Sequence, residues 1–591
     1  MSRLLVAAMV VVAAAFWLPQ WWLAWSTERP IADADAAAAI AALRATLNAS
    51  TPTPPAATPV AGPVMASLWL DGELTASAWS SASDLAAATS DLGRQLASQR
   101  PGRESTFAHA RLKLDIVTAR ARFIGLAIRP GVDGIVAGQT LITPDAILTA
   151  ALPPAIGLPE LDLRLGLDPA ALGRLIRRHV PPTDAKVERA RVAQFIEPGL
   201  RVEHGHSVTT PTVDAAALRR AAIDGADYLS GHLGDDGRFD YLYYVGVDQA
   251  YHEEEDAALT RHAGSSWFLA LLGPDYTTAT DRALAYLSTA HAPGVDAISS
   301  RDADRAGLGA SALALAALSQ RQTQSTPLSP SLSAWAERLT SHVLSMQRPN
   351  GDFDHVFSVA HRRPDPVPRL PYYSGEAAFG LAKRWHVATP DLQKTIADAL
   401  ERAIGFLIGQ TASRPFVLDF IFLEDHWTCL AADAGWDALQ PHTREAAARY
   451  CEDFCAFLAR AQFSEAGPDS ADAITRAQPD FAGAYGFSPV MAPHPTPVGS
   501  RSEALLATLA MAERRRAPPE VIARLRRSLH LGLGFLLRHQ LGSPGSDYLL
   551  AAPRRAVGGF LFSDEDRVIR IDFVQHAGAA LWRASAVTPT L

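Results

Sequence analysis

The chain has 591 residues, of which 48% are hydrophobic and 20% are charged, and its formal net charge is −8. A chain of this length exceeds one small hydrophobic core, so we expect two or more domains. The negative charge, without any run of Lys and Arg, argues against a general nucleic-acid-binding protein.

The N-terminus carries the clearest targeting signal. Arg3 precedes an uncharged stretch from Leu4 to Ser26, which has about the 20 residues that a helix needs to cross a bilayer. No small-residue cleavage site follows directly, so residues 1–30 are predicted to be an uncleaved membrane anchor rather than a signal peptide. Because the positive charge of Arg3 lies on the short N-terminal side of this stretch, we expect a single pass through the inner membrane, with the rest of the chain in the periplasm.

Two regions follow the anchor. Residues 31–64 contain a predicted short helix, DADAAAAIAALRATL, and then the stretch NASTPTPPAATPVAGP, which we expect to be an extended spacer that holds the body off the membrane. Residues 65–205 contain the strand-like segments HARLKLDIV, RFIGLAIR and DGIVAGQTLIT, and the helix-like segment DPAALGRLIRRHV. This region is therefore predicted to be a small α+β domain.

Residues 206–591 contain six pairs of predicted helices. The first member of each pair is amphipathic, as in PDLQKTIADALERAIGFLIGQ, and several end with a Gln that a turn follows. The second members are apolar nearly all round, which indicates buried helices; they are RHAGSSWFLALL, GLGASALALAALSQ, SGEAAFGLAKRW, EDHWTCLAADAGW, SRSEALLATLAMAE and RIDFVQHAGAALWRA. A ring with the buried helices inside covers both sets, so we predict a mainly α protein with a C-terminal (α/α)6 toroid.

Three cysteines lie within the predicted toroid. Cys429, Cys451 and Cys455 form no CxxC pair and no disulfide framework. Cys451 and Cys455 are four residues apart on one helix face, where we expect two small buried side chains.

The starts of the second helices are rich in polar residues, and the ring would gather them in one cleft. They are Arg261, His262, Tyr372, Tyr373, Glu376, Glu424, Asp425, His426, Trp427, Arg501, Glu503, Arg570, Asp572 and His576. The turn residues Asp354 and His355 would reach the same region if the loops fold over it. A structural interpretation stays open, because acidic residues in a first turn also cap free N–H groups. By the same argument His576, one turn after Asp572, could serve only to anchor its helix.

As a set, these residues indicate acid–base chemistry. Paired carboxylates serve as acid and base in glycoside cleavage, and we predict Asp425 and Glu376 as the leading pair. His262, His576 and Asp572 would assist. Substrate would be held by Arg261, Tyr372, Tyr373, Glu424, His426, Trp427, Arg501, Glu503, Asp354 and His355.

The same residues are compatible with two other chemistries. Tyr and His could instead remove and return a proton beside a uronate carboxylate, as a lyase or an epimerase requires. A zinc site from His426, Cys429 or His576 is disfavoured, because no second Cys/His cluster has ligand spacing. We therefore predict no metal and no cofactor.

The helix pairs, with the segments YYSGEA, LEDHW and RIDFVQH, resemble the six-hairpin superfamily of (α/α)6 toroids. That group includes polysaccharide hydrolases, polysaccharide lyases and enzymes of the D-glucuronyl C5-epimerase type. The resemblance implies the toroid fold and chemistry on glycans. The zinc ligands of lanthionine-synthetase-like members and the Asp-rich motif of terpene cyclases are not found, and no family's full catalytic motif matches, so no catalytic residue is carried over.

Two functional hypotheses result. The first is a membrane-anchored periplasmic enzyme that acts on a cell-envelope polysaccharide as a hydrolase, lyase or epimerase. The second is a non-catalytic subunit of an envelope assembly or export system, which would bind a glycan or a peptide and contact a partner through its α+β domain. Fold alone does not choose between them.

Overall fold

The structure is a computed structural model. It describes residues 26–123, 128–138, 140–150, 156–158, 163–165, 169–180, 186–252, 256–291, 294–299, 304–366, 372–409, 416–417, 420–421, 426–464, 479–485, 493–542 and 545–587. Nearly all of the predicted membrane anchor lies outside the described residues. Within the described part of the chain, no helix combines the length and the apolarity that a bilayer crossing needs.

An antiparallel sheet organises the N-terminal domain. Its strands are β1 (Val64–Leu70), β2 (Glu73–Ser80), β3 (Arg111–Arg122), β4 (Asp133–Ala137), β5 (Thr140–Ile142), β8 (Val187–Ile196), β9 (Leu200–Glu203) and β10 (His206–Ser207), and a separate hairpin joins β6 (Ile156–Leu158) to β7 (Leu163–Leu165). The order in space is β10–β9–β8–β3–β1–β2, and β4 pairs with both β8 and β5. The predicted α+β class is correct for this region, although part of the predicted strand at 122–129 lies outside the described residues.

Helices cover this sheet. They are α1 (Asp33–Leu47), α2 (Leu85–Ser98), α3 (Glu104–His109), α4 (Pro144–Leu148) and α5 (Pro169–His179). The apolar side of α1 is buried in the same core as α2, β1 and β3, with Ile40 and Leu43 almost fully covered. Burial of such side chains contributes about 1.5–3 kcal/mol each, so α1 belongs to the domain.

The expected spacer after α1 is a part of this domain as well. The Thr58 hydroxyl donates to the Asp35 carboxylate over 2.8 Å, and the Val60 N–H donates to the Ser83 carbonyl over 3.0 Å. These contacts fix the Pro-rich segment along the edge of the domain. The short helix predicted in residues 31–64 is α1, and the Pro-rich segment after it packs on the domain surface, where its polar groups find partners.

Two concentric layers of helices make up the C-terminal domain. The outer helices are α6 (Ala215–Gly231), α8 (Thr277–Thr289), α10 (Pro330–Ser345), α12 (Pro390–Gly409), α14 (Pro441–Ala461) and α16 (Pro519–His539). The inner helices are α7 (Asp256–Leu272), α9 (Leu308–Gln322), α11 (Tyr373–Trp385), α13 (His426–Ala434), α15 (Pro495–Arg514) and α18 (Ile571–Val587), and a short α17 (Pro553–Ala556) precedes α18. Each inner helix packs on the next, and α18 packs on α7. This contact closes the ring and confirms the predicted (α/α)6 toroid.

Short strands connect the helices at one end of the ring. They are β11 (Leu242–Tyr244), β12 (Gln249–Tyr251), β13 (Arg305–Gly307), β14 (Val356–Ser358), β15 (Arg363–Asp365), β16 (Phe416–Val417), β17 (Phe420–Ile421) and β18 (Val568–Arg570). β11 pairs with both β12 and β18, which ties the first helix pair to the last. The sheet thus reinforces the closure of the ring.

Small residues set the spacing of the inner helices. A Cβ atom added at Gly380 of α11 would lie 2.4 Å from the carbonyl oxygen of Ala312 on α9. That distance is far inside van der Waals contact, so the two helices approach as closely as glycine permits. The Ala-, Gly- and Ser-rich pattern of the inner helices therefore has a packing cause.

The glutamines that end several outer helices form a repeated contact. The Gln347 side-chain amide donates to the Ala399 carbonyl of the next outer helix over 2.8 Å, and Gln540 likewise donates to Ala221 over 2.7 Å. Gln462 does the same to Ser528 over 2.9 Å. Each bond satisfies a buried carbonyl and joins neighbouring pairs, which explains the recurrence of this residue in the sequence.

The cysteines correct the sequence analysis. Cys429 of α13 and Cys451 of α14 form a disulfide bond, whereas Cys455 is a buried thiol outside that bond. Cys451 and Cys455 are close in the sequence and lie on the same helix, but the disulfide partner of Cys451 is Cys429 on the adjacent inner helix. The packing of these two helices brings the two sulfur atoms together, and sequence spacing gives no information about that packing.

Candidate active site

A cavity of about 360 Å³ opens where the first turns of the inner helices meet. Its walls come from all six inner helices and from the segments just before them. The lining residues are Thr260, Arg261, Leu313, Tyr372, Tyr373, Glu376, His426, Trp427, Thr496, Pro497, Ser500, Arg570, Asp572, Gln575 and His576. The ring therefore gathers most of the predicted residues in one place.

Asp572 lies between two arginines on one wall. The Arg570 guanidinium donates to both of its carboxylate oxygens, over 2.6 and 2.9 Å, and Arg261 Nε donates to Oδ2 over 3.2 Å. Arg261 also donates to the Tyr241 hydroxyl over 2.8 Å. Burial by itself would raise the pKa of Asp572, but the charges of Arg570 and Arg261 outweigh it and hold that pKa well below its usual range. Asp572 is thus an ionised, hydrogen-bonded carboxylate.

His576 has a buried carboxylate as its partner. Its Nδ1 lies 2.7 Å from Oε2 of Glu503, which is fully buried on α15. A neutral His576 that donates this hydrogen bond from Nδ1 has its lone pair on Nε2. The sequence suggested an i,i+4 contact between His576 and Asp572 on the same helix. The hydrogen-bonded partner is Glu503 on the neighbouring helix, because the two arginines occupy Asp572.

His426 completes this part of the cavity. Its ring centroid lies 5.0 Å from that of His576, at an edge-to-face angle, and 4.8 Å from that of Trp427. Burial, with a smaller effect of His576, lowers the pKa of His426 well below its usual value, so the ring is neutral. Neither of its buried ring nitrogens has a hydrogen-bond partner among the described residues.

These three side chains are of metal-binding types. His426, Glu503 and His576 each offer one ligand atom, and the three atoms lie within 4.8 Å of one another. Two imidazoles and one carboxylate suit zinc and other first-row transition metals. Sequence spacing suggests Cys429 as a partner of His426 and His576, but the third member is Glu503, which lies on another inner helix.

Aromatic residues and Glu376 form the opposite side. Glu376, buried in the first turn of α11, lies so near α9 that a Cβ atom at Gly309 would be 2.3 Å from its Oε2. Tyr372, just before α11, is 37% exposed and has a left-handed φ of 73°, which is uncommon for an aromatic residue. Tyr372, Tyr373 and Trp427 give the cavity flat apolar surfaces beside its charged wall.

Two predicted histidines lie elsewhere. His262 is buried between Phe239 and Tyr286, and its Nε2 lies 3.2 Å from the Ala283 carbonyl. Burial lowers its pKa to about 3. His355 Nε2 lies 2.8 Å from the Ser374 hydroxyl. Neither histidine lines the cavity, so their placement in the cleft was wrong; α7 begins at Asp256, which turns His262 toward the outer helices.

Two charged residues predicted to bind substrate also lie outside the cavity. Asp354 pairs with Arg348, whose Nε donates to it over 2.7 Å. Arg501 is buried, with its guanidinium 4.7 Å from the centre of the Tyr485 ring. Both residues contact their own loops and helices, and the cavity does not include them. Glu503, also predicted to bind substrate, accepts a hydrogen bond from His576 behind the cavity.

Glu424 and Asp425 fall outside the described residues, so the role predicted for them stays a prediction. Residues that the sequence analysis missed include Thr260, Thr496, Ser500 and Gln575. The helix α15 begins at Pro495, whereas the apolar pattern suggested Ser500. Proline is favoured in the first position of a helix, so Pro495 was the available signal for this earlier start.

The comparisons with known proteins concern the fold. No protein-family model matches the sequence, and no curated protein matches it significantly. Solved structures that it resembles include the alpha-1,6-mannanase of Salegentibacter sp. HEL1_6, with 10% identity over 63% of this chain and 99% of that chain and a TM-score of 0.40. The cellobiose 2-epimerase of Bacillus thermoamylovorans B4167 has 11% identity over 62% and 99%, with a TM-score of 0.43.

A sugar epimerase from a ruminal bacterium has 12% identity over 63% of this chain and 98% of that chain, with a TM-score of 0.43. Likeness at this level concerns the general course of the helices. The assignment of the (α/α)6 toroid rests on the closed packing of the inner helices in this chain.

Proposed function

We propose that the cavity is the active site of a glycan-directed enzyme in which His576 acts as a base. The observation that carries this proposal is the bond from His576 Nδ1 to the buried Glu503 carboxylate, over 2.7 Å. A buried carboxylate that accepts from Nδ1 orients the imidazole and stabilises its charged form after it takes a proton. Nε2 is then the atom that accepts a proton from substrate.

The charged wall supports an acidic substrate. Arg261 and Arg570 both donate to the carboxylate of Asp572, so this wall carries two guanidinium groups beside the cavity. A uronate carboxylate would be attracted there, and arginine binds carboxylates through paired hydrogen bonds. The faces of Tyr372, Tyr373 and Trp427 suit the apolar face of a sugar ring.

These groups favour proton abstraction next to a carboxylate. His576 would remove the proton on the carbon beside the uronate carboxylate, and the arginines would stabilise the negative charge that develops on that carboxylate. Loss of the substituent on the next carbon, with its bonding electrons, gives elimination. Return of a proton to the other face gives epimerisation. In elimination His576 gives the proton that it gained to the departing oxygen, whereas in epimerisation a water molecule on the opposite face supplies the new proton and His576 releases its own to solvent.

Hydrolysis is the second candidate, because Glu376 and Asp572 both line the cavity. A glycosidase needs one carboxyl group as the acid and a second as base or nucleophile. The low pKa of Asp572 excludes it as the acid, so Glu376 would have to protonate the leaving group. A purely binding role is the third outcome that an experiment has to separate.

One experiment distinguishes the three. The full-length protein in detergent is incubated in D₂O with uronate-containing and neutral envelope polysaccharides, and the products are examined by NMR and by reducing-end assay. Proton abstraction predicts deuterium in the sugar or a new unsaturated uronate without added water. Hydrolysis predicts new reducing ends without carbon-bound deuterium, and binding without any product would overturn the enzyme proposal.

We also propose that the protein is held in the inner membrane by one N-terminal helix, with its toroid in the periplasm. The apolar stretch after Arg3 supports the anchor. The disulfide between Cys429 and Cys451 supports an oxidising compartment, since such bonds are rare in the cytosol. Protease digestion of intact spheroplasts tests this: the toroid should be degraded from outside, and its protection would contradict the proposal.

A further inference from the structure

A second cluster of histidines and carboxylates lies between the α+β domain and the toroid, away from the cavity. His206 belongs to β10, His539 ends the outer helix α16, and Asp564 lies in the loop before β18. All three are buried, with exposed fractions of 1%, 2% and 4%. His206 Nε2 lies 2.8 Å from Asp564 Oδ1, and the two imidazole rings are 4.7 Å apart.

The hydrogen bonds of this cluster leave ring nitrogens without partners. His539 Nδ1 is 3.0 Å from the Phe535 carbonyl, which has no proton, so Nδ1 donates and the lone pair of the neutral ring is on Nε2. His206 Nε2 faces the Asp564 carboxylate, so an ion that displaces the proton between them would be bound by Nε2 and by Asp564 together. His539 Nε2 is fully buried and has no hydrogen-bond partner among the described residues. An unsatisfied buried polar atom costs about 1–3 kcal/mol.

We propose that His206, His539 and Asp564 bind a divalent transition-metal ion of the zinc type, which links the two domains. Each residue offers one ligand atom, and these atoms lie within 4.8 Å of one another. Two imidazoles with one carboxylate are a common ligand set for zinc. The Phe535 carbonyl holds His539 in the tautomer that presents Nε2, as outer partners of metal-bound histidines do.

The neighbouring charges are compatible with a cation. His204, two residues before His206, contacts a different carboxylate: its Nδ1 lies 2.6 Å from Oδ2 of Asp480 in the toroid. Asp480 Oδ1 and Glu203 Oε2 are further buried oxygens without hydrogen-bond partners among the described residues. Arg538 donates to the carbonyls of Asp480 and Ala482. These oxygen acceptors surround the histidine pair, and the guanidinium groups of Arg538 and Arg567 are the cations beside them.

The position of the ligands gives the ion a structural role. His206 comes from the α+β domain, whereas His539 and Asp564 come from the toroid, so loss of the ion would weaken contact between domains. The alternative occupant is a buried water that donates to His539 Nε2. Metal analysis separates these two explanations.

The test uses the full-length protein, purified in detergent without a metal-binding tag. Metal content is measured by mass spectrometry after dialysis with Zn²⁺, and the absorption spectrum is recorded after Co²⁺ replaces it. We expect about one ion per chain, a tetrahedral Co²⁺ spectrum, and loss of both in His539→Gln and Asp564→Asn. His342→Gln, at another buried histidine, is the matched control and should retain the ion.

Two results would overturn the proposal. The first is absence of bound Zn²⁺ and Co²⁺ in the parent protein, which would leave water as the occupant. The second is retention of the ion in His539→Gln together with its loss in His426→Gln, which would place the metal in the active-site cavity instead. Circular dichroism of each variant shows whether it is folded, and Co²⁺ titration of the parent protein tests the site even if a variant fails to fold. Because the two clusters share no residue, the enzyme proposal stands or falls separately.

Discussion

Glu503 and His576 are 73 residues apart in the chain, yet their side chains form one hydrogen bond of 2.7 Å behind the cavity. They lie on α15 and α18, two inner helices that pack against each other near the closure of the ring. The carboxylate is fully buried, whereas the imidazole reaches the cavity wall. This pair is the feature of the site that most resembles an oriented base.

The first prediction concerns this pair. His576→Gln should lower the rate of carbon–hydrogen exchange by about 100-fold or more, which is the usual contribution of a positioned general base. Glu503→Gln should also lower it, because the imidazole loses the carboxylate that orients it. The measurement is deuterium incorporation under single-turnover conditions. His342→Gln, on the outer helix α10, should keep the parent rate, and an active His576→Gln would refute the assignment.

The second prediction concerns the arginine-bound carboxylate. Asp572→Asn removes the negative partner of Arg261 and Arg570, and breaking such a buried pair costs about 3 kcal/mol. Urea unfolding should show this loss, and the activity should fall as well. Asp433→Asn offers a matched control, because Asp433 is bound by Arg514 and Arg583 outside the cavity. It should lose stability but keep its activity; equal loss of activity would mean that Asp572 is only structural.

The third prediction is a pH dependence of stability caused by His262. The folded pKa of about 3 is below the ordinary value of 6.5, because burial outweighs the Ala283 carbonyl and the charge of Asp236. The unfolded chain therefore takes up a proton that the folded protein excludes, and stability falls as pH drops below 6.5. The loss is about 1.4 kcal/mol per pH unit for one proton.

Unfolding of the parent protein and of His262→Phe should be compared at pH 7 and pH 5. The variant lacks the titrating group, so its stability should decline by about 2 kcal/mol less over this interval. His442→Gln, at a side chain that is 80% exposed, should decline like the parent. Identical slopes in all three proteins would show that His262 is protonated when folded.

The fourth prediction concerns the disulfide. Cys429 and Cys451 are 22 residues apart, and a loop of this size is stabilised by about 3 kcal/mol in the chain-entropy view. Dithiothreitol should lower the melting temperature of the parent protein and of Cys455→Ala, which lacks only the cysteine outside the disulfide. It should have no effect on Cys451→Ala. A parent protein insensitive to reductant after unfolding and refolding would contradict the bond.

Helix periodicity made the fold readable from the sequence. The six amphipathic and six apolar helices were predicted within five residues of their observed ends; the outer helix at 390–409 is an example of close agreement, and the inner helices α7 and α15 start five residues earlier than predicted. An apolar helix surface has to be covered by another one, so alternation of half-buried and fully buried helices predicts a double ring. The same reasoning predicted that one cavity at the end of the ring contains Arg261, Glu376, His426, Asp572 and His576.

Helix periodicity did not predict which of these side chains contact each other. His262 adjoins Arg261 in the chain but points toward the outer helices, since a helix turns by about 100° per residue. The partners of His576 and Cys451 lie on neighbouring helices, and those of His206 lie in another domain. A pattern of residue types contains the period of each helix but not its rotation about its axis.

The amino-acid sequence by itself determined which segments are helices, which of them are buried, and that their polar ends face one way. These are local properties, because hydrophobic period and capping depend on residues a few positions apart. Only the tertiary structure decided which polar side chains meet, since contacts below 3 Å depend on the rotation and offset of helices set by close packing of the whole ring. The His576–Glu503 pair, the disulfide and the interdomain histidine cluster all depend on this tertiary packing.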